Sequence, residues 1–328
     1  MPTPLRTTHR DWANPHPNLK EPTEILIKTS YGPIGRCVED LVLVLKSWWD
    51  KNFWKYDAYV IPKPFNTKSY EKMSNKKLRI AYFDDNQVFP CAEVVKSVIR
   101  ETVNKLKNDG HELVEMNTDF FAHAFEYASR LFFGIDPSII VDELQGESPT
   151  FPFKPQYISS ECSISSMFEP AALSMSGYHQ LAEALNAPRI YTLKEFCVFA
   201  EQVCLFKSEF TDYWNQMGFD CVICPVWPLV APQHNKTEYL FPAFSYLYFW
   251  NIMSFPAGVV PVRKVKKGED IYNATLNDGS AKIAKEIMKD SVGLPVAIQV
   301  AGFPNSDEKV LGVMKLLENY YDFHEYPL

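Results

Sequence analysis

Two short stretches of this 328-residue chain carry side chains spaced for chemistry. Cys221-Val-Ile-Cys224 has the spacing of a redox pair or half a metal site, because thiolates three residues apart can share an ion or close a disulfide. No second pair accompanies it, and Val222 and Ile223 belong in a core strand, whose alternation would send the two sulfurs to opposite faces. Core packing is the expected role. Ser174-Met-Ser-Gly-Tyr-His179 sets serines beside a histidine, but a nucleophile needs its base across space, and no Gly-x-Ser-x-Gly elbow is present. A surface turn is expected there. The seven histidines lack metal spacing, and the thirteen glycines are never adjacent, so no phosphate-binding loop is formed. Neither a metal nor a cofactor is expected.

Composition narrows the function further. A hydrophobic content of 46% with 14% aromatic residues is ample for a sizeable core. The net charge of -7 is spread over interspersed acids and bases, which leaves no basic footprint for nucleic acid. The opening Met1-Pro-Thr-Pro-Leu-Arg6 has no apolar run of the signal-peptide kind, and no window reaches the roughly eighteen uncharged apolar residues of a membrane span. Seven cysteines, an odd count without framework spacing, predict free thiols in a reducing compartment. These features place the protein in a reducing compartment, on the cytoplasmic side.

The elements that must position a site follow from periodicity. Residues 1–22, which include Asn14-Pro-His-Pro17, predict an irregular arm, and 23–328 a single α/β domain. Ile25-Leu-Ile27 predicts a short strand, Val38 to Trp49 a helix, and Pro62 to Lys77 a polar connector. Leu78 to Phe83 reads as a strand; Pro90 suits a first helical position; Val94, Val95, Val98, Ile99, Val103 and Leu106 recur at helical spacing; Gly110 ends that helix, and Glu112 to Met116 is the next strand. Such a β-α-β unit implies a parallel pair. Residues 118–134 predict a helix with too many aromatics for one narrow stripe, buried or lining something, and 135–188 predict only short helices and loops. Thr192 and Glu195 form a capping box that opens a long helix closing at Gly218. That helix should pack against a sheet, with a strand from Phe219 to Cys224 behind it and a terminal helix capped by Ser306 running to Tyr320.

Between Tyr246 and Gly302 lie two Gly-Pro apolar segments, Asn251-Ile-Met-Ser-Phe-Pro-Ala-Gly-Val-Val-Pro-Val262 and Ser291-Val-Gly-Leu-Pro-Val-Ala-Ile-Gln-Val-Ala-Gly302. They read as neighbouring buried strands, with turns at Gly258 and Gly293. With Tyr31-Gly-Pro-Ile-Gly-Arg-Cys-Val-Glu-Asp-Leu41, these segments resemble the closing half of the amidase signature family, and within it the fatty acid amide hydrolase branch. The resemblance covers roughly Glu24 to Glu318.

It implies an α/β fold with a mixed β-sheet core flanked by helices, a fatty acyl amide or other lipid as partner, a peripheral membrane contact and a homodimer. By the same resemblance Phe132 and Phe133 bind substrate, bordering the acyl channel. In the family the chemistry rests on a serine nucleophile, a second serine and a lysine base, with the serines in a Gly- and Ser-rich stretch upstream of the segment matched by Tyr31 to Leu41. The residues before Tyr31 do not resemble that stretch. No catalytic residue is assigned, and the chain is expected to be inactive alone. The alternative is a non-catalytic lipid-binding or partner-binding relative. The branch's membrane-docking cap is apolar and basic, whereas 135–188 is polar, with acids at Asp142, Glu143 and Glu147.

Overall fold

An apolar strand, a helix with one apolar stripe and a second strand build one side of the sheet between residues 78 and 116. The structure, a computed structural model, describes residues 26–27, 32–55, 61–73, 76–134 and 165–323. Strand β1 (Arg79–Tyr82) enters helix α3 (Glu93–Asn108), and the chain returns as β2 (Glu112–Glu115). All six aliphatic residues of the predicted stripe on α3 are buried. Gly110 takes φ +83°, a left-handed turn that suits glycine and frees the chain to return. The two strands pair in parallel, with Arg79 opposite Glu112 and Tyr82 opposite Glu115.

Helices α1 (Val38–Asp50) and α2 (Thr67–Lys72) precede this unit. After it come α4 (Phe120–Phe133), α5 (Ser165–Met175), α6 (His179–Leu185), α7 (Leu193–Met217), β3 (Cys221–Pro225), α8 (Ser245–Met253), β4 (Ala257–Lys264), α9 (Ser280–Met288), β5 (Pro295–Ala301) and α10 (Asp307–Tyr321). The five strands lie in the order β2-β1-β3-β5-β4. β3 is parallel to β1, whereas β5 runs antiparallel to both β3 and β4. Every residue of β3 is buried, as a strand between two others and covered on both faces requires. The fold is therefore α/β, a mixed sheet flanked by helices, as the sequence predicts.

Several local expectations are corrected. Leu26 and Ile27 form a turn and not a strand; the Leu26 carbonyl accepts from the Lys207 ammonium at 3.2 Å and joins no ladder. Pro90 lies ahead of α3, because Cys91 N–H is held by Asp85 at 3.2 Å and Ala92 N–H by the Pro228 carbonyl at 2.8 Å, which keeps the chain extended until Glu93. Asn251 to Met253 end a helix, α8, that stops at Ser254 with φ +57°, so only the second part of that segment is strand. Gly258 sits inside β4, while Gly293 does make the expected turn, at φ +89°. Ser306 precedes α10, but its hydroxyl turns back to the Phe303 carbonyl at 2.5 Å and caps nothing. The Ile25 end of the first predicted strand, residues 1–22, Tyr31 and the acids at 142, 143 and 147 lie outside the described residues.

The capping box of α7 is present: Glu195 N–H donates to the Thr192 hydroxyl at 3.2 Å, and Thr192 N–H to the Glu195 carboxylate at 2.9 Å. Its buried face meets rings more than strands. Phe210 contacts Phe120, Phe249 and Phe255 at centroid distances of 5.1, 5.1 and 5.6 Å. An aromatic layer from α4 and α8 thus stands where direct packing on the sheet is predicted, because the ring-rich helix 118–134 and the unpredicted α8 must both be buried. Among the described residues no helix is long and apolar enough to cross a membrane.

Candidate functional site

The loops that follow β1 and β3 leave the same edge of the sheet, since these strands are parallel. The carboxyl ends of parallel strands are where α/β sheets open crevices. An apolar cavity of about 360 Å³ lies beside the loop after β3, lined by Val226, Trp227 and Leu229 from the loop, Leu247 from α8, and Val259 and Ala297 from β4 and β5. That volume is at the lower end of small-molecule pockets, roughly 300 to 1,000 Å³. The polar groups at its wall are few: Thr237 and the indole of Trp227. The Trp227 Nε1 is buried without a hydrogen-bond partner among the described residues, while its ring stands edge-on to Phe244 at 4.8 Å. The lining contains no serine, lysine or histidine.

A buried polar network fixes the loop after β1. The Tyr246 hydroxyl donates to the Phe89 carbonyl at 2.8 Å and accepts from Asn86 N–H at 3.1 Å and the Cys91 thiol at 3.2 Å. The Asn86 amide donates to the Ser245 hydroxyl at 2.7 Å, and Tyr272 reaches the Pro90 carbonyl at 2.9 Å. Burial pushes the Tyr246 phenol and Cys91 thiol well up, so both stay protonated and serve as donors. At the rim Lys96 pairs with Asp85 at 2.5 Å; burial works against its charge, but the hydrogen bond and charge of Asp85 outweigh that and raise its pKa. These groups hold the loop and offer no activated nucleophile.

The chemistry-bearing stretches of the sequence sit elsewhere. Cys221 and Cys224 are both buried on β3. Burial pushes the Cys224 thiol up to about 12 and raises Cys221 as well, so neither is a thiolate near neutrality. The Cys224 sulfur accepts from the Gln299 amide at 3.5 Å. Ser174 Oγ and His179 Nδ1 do come within 3.3 Å, across the turn between α5 and α6, but both side chains are open to solvent. Among the described residues no group of side chains could hold a metal.

Phe132 and Phe133 are not part of the cavity lining. They end α4 against Phe241, at centroid distances of 5.8 and 4.8 Å. Phe241 begins the turn that ends at Phe244, a lining residue, so the pair stands behind the wall. The sequence reading assigns none of the lining residues to a site; the signal that marks a crevice there is the Pro-rich loop Pro225-Val-Trp-Pro-Leu-Val-Ala-Pro232 after a buried strand.

Comparison with known proteins gives this geometry a family. The chain is 26% identical over 310 residues to fatty-acid amide hydrolase 1 of Sus scrofa, covering 90% of this chain and 51% of that protein. It is 26% identical to fatty acid amide hydrolase 1 of Caenorhabditis elegans, over 97% of this chain and 55% of that one, and 24% identical to an acetamidase of Aspergillus oryzae. This chain thus spans about half the length of the relatives it matches. A solved fatty acid amide hydrolase superposes with a TM-score of 0.74 over 98% of this chain and 53% of its own, at 20% identity. A 6-aminohexanoate cyclic dimer hydrolase does so with a TM-score of 0.61 at 14% identity, likenesses that concern the fold alone. The Amidase family model matches residues 24–311, which includes all five strands, and the chain therefore belongs to the amidase family.

Proposed function

We propose that this chain supplies the acyl-binding part of a fatty acyl amide hydrolase, taking the hydrocarbon tail of a fatty acyl amide, and that residues 1–328 by themselves do not cleave the amide bond. The carrying observation is the cavity, whose wall is apolar but holds neither a serine nor a base. An apolar tail buried there would gain about 0.8 kcal/mol per methylene, whereas amide attack needs a serine, a base within about 3 Å and oxyanion donors. The names of the pig and nematode relatives support the substrate class. Phe132 and Phe133 are proposed to border the tail from behind the Phe241–Phe244 turn. The same reading puts the protein on the cytoplasmic side, dissolved or in peripheral contact with a membrane, in keeping with its six described free cysteines.

A second reading, a non-catalytic lipid-binding or partner-binding protein, draws on the same reagent-free wall. The test incubates the purified chain with a fluorescent long-chain acyl amide and, separately, with a fluorophosphonate probe. Saturable binding without turnover, weakened tenfold or more by Ala297→Phe in the cavity wall, is expected. Turnover together with specific labelling of a serine would overturn the claim of inactivity. Binding that ignores Ala297→Phe would remove the cavity from the site.

A further inference from the structure

Of the fifteen residues that line the cavity, only Trp227 and Thr237 have polar atoms in their side chains. The two differ in reach. The Trp227 indole N–H is buried without a hydrogen-bond partner among the described residues, so it is as closed to a ligand as it is to water. Thr237 is half-buried. Its main-chain carbonyl accepts from Leu240 N–H at 3.0 Å, whereas its hydroxyl has no partner among the described residues. The turn that carries it is held on both sides: the Lys236 ammonium pairs with Glu286 of α9 at 2.6 Å, and the Tyr239 ring stacks on Tyr178 at 4.8 Å. The hydroxyl therefore has a fixed place in an otherwise apolar wall before any ligand arrives.

A plain hydrocarbon tail is poorly matched to such a wall. On entering, it strips the hydroxyl of water and returns no hydrogen bond, which offsets part of what burial of the tail gains. A tail with an oxygen at the matching depth supplies the missing partner, and the threonine hydroxyl can donate or accept in meeting it. Discrimination then comes from the group left unpaired by the wrong ligand, the same physics by which a site built to bind a substrate hydroxyl rejects the analogue that lacks it.

We propose, on the reading that this cavity takes the tail of a fatty acyl amide, that Thr237 selects acyl chains bearing a hydroxyl group along the tail over plain chains of the same length. The expected preference is about tenfold, the size of one hydrogen bond gained in place of one lost. Because the turn is fixed, the preference peaks at one position of the hydroxyl along the chain.

The experiment uses the full chain. A bound fluorescent long-chain acyl amide is displaced by stearoyl amide and by a positional series of hydroxystearoyl amides. Thr237→Val keeps the shape of the side chain and removes the hydroxyl; plain stearoyl amide should then bind more tightly, the best hydroxystearoyl isomer less tightly, and the preference should vanish. Thr237→Ser, which restores a hydroxyl, should keep it. Thermal unfolding of both variants should match that of the native chain. Equal binding of plain and hydroxylated tails by the native chain overturns the proposal, as does a preference that survives Thr237→Val, disappears in Thr237→Ser or is the same wherever the hydroxyl lies. Binding of both tails that ignores Ala297→Phe is a different failure, since it removes the cavity and with it the acyl-binding reading.

Discussion

The hydroxyl of Tyr246 donates to the main-chain carbonyl of Phe89 at 2.8 Å, joining residues 157 positions apart in a buried site. It ties α8 to the loop after β1, and with Asn86 N–H and the Cys91 thiol it closes a network that no single element could form. Tyr246→Phe keeps the ring and leaves the Phe89 carbonyl and Asn86 N–H without this partner. A buried group stripped of its hydrogen bond costs about 1–3 kcal/mol, so the variant should lose about 2–4 kcal/mol in urea unfolding, at unchanged m-value. A loss below about 0.5 kcal/mol would show that the network adjusts without the hydroxyl.

Gly312 in α10 marks a close approach of α10 to α2. A methyl group built there would lie 2.5 Å from the Tyr70 carbonyl oxygen and 2.7 Å from Met73 Cβ. The obstacle is backbone, which cannot swing aside as a flexible side chain would. Gly312→Ala should therefore cost about 1–3 kcal/mol by overpacking, although alanine is the better helix former by about 1 kcal/mol. Chemical denaturation checks it, and a stabilised variant would mean that α2 is free to move.

His111 gives stability a pH dependence. Its Nδ1 accepts from Leu78 N–H at 3.1 Å at the start of β1, which requires that nitrogen to be unprotonated. Burial, then the charge of Lys77, lowers its pKa below the ordinary 6.5. The unfolded chain therefore binds a proton more readily than the folded one in this range, so stability rises with pH. The contribution is fully present above about pH 6.5 and is lost as pH falls towards and through the lowered folded value. Urea midpoints of native chain and His111→Gln between pH 7.5 and 5 should converge as the pH drops. Curves that stay parallel would exclude the histidine as the titrating group.

Phe132 and Phe133 separate packing from ligand binding. Phe133 is 3% exposed, and a buried Phe→Ala change costs about 3–5 kcal/mol; half-buried Phe132 should cost less. If both rings also hold the tail of a fatty acyl amide, Phe132→Ala, the better tolerated change, should weaken acyl binding by about tenfold, equivalent to about 1.4 kcal/mol. Loss of stability with binding unchanged would leave these rings as core alone.

Local order in this chain is legible from local residues. The α3 stripe, the Thr192–Glu195 capping box, the end of α7 at Gly218 and the apolar runs that become β4 and β5 all rest on side chains within a few positions of one another, and the amidase likeness rests on the spelling of those last two runs and of Tyr31 to Leu41. What tertiary structure decided lies where distant residues compete for the same groups. Pro90 fails to start α3 because Asp85 and Pro228 hold the chain extended; Leu26 joins no strand because Lys207 claims its carbonyl. The cavity belongs to this second class as well. It exists only where β4, β5, α8 and the loop after β3 leave space between them, and the shape left between elements is encoded in no single stretch of sequence.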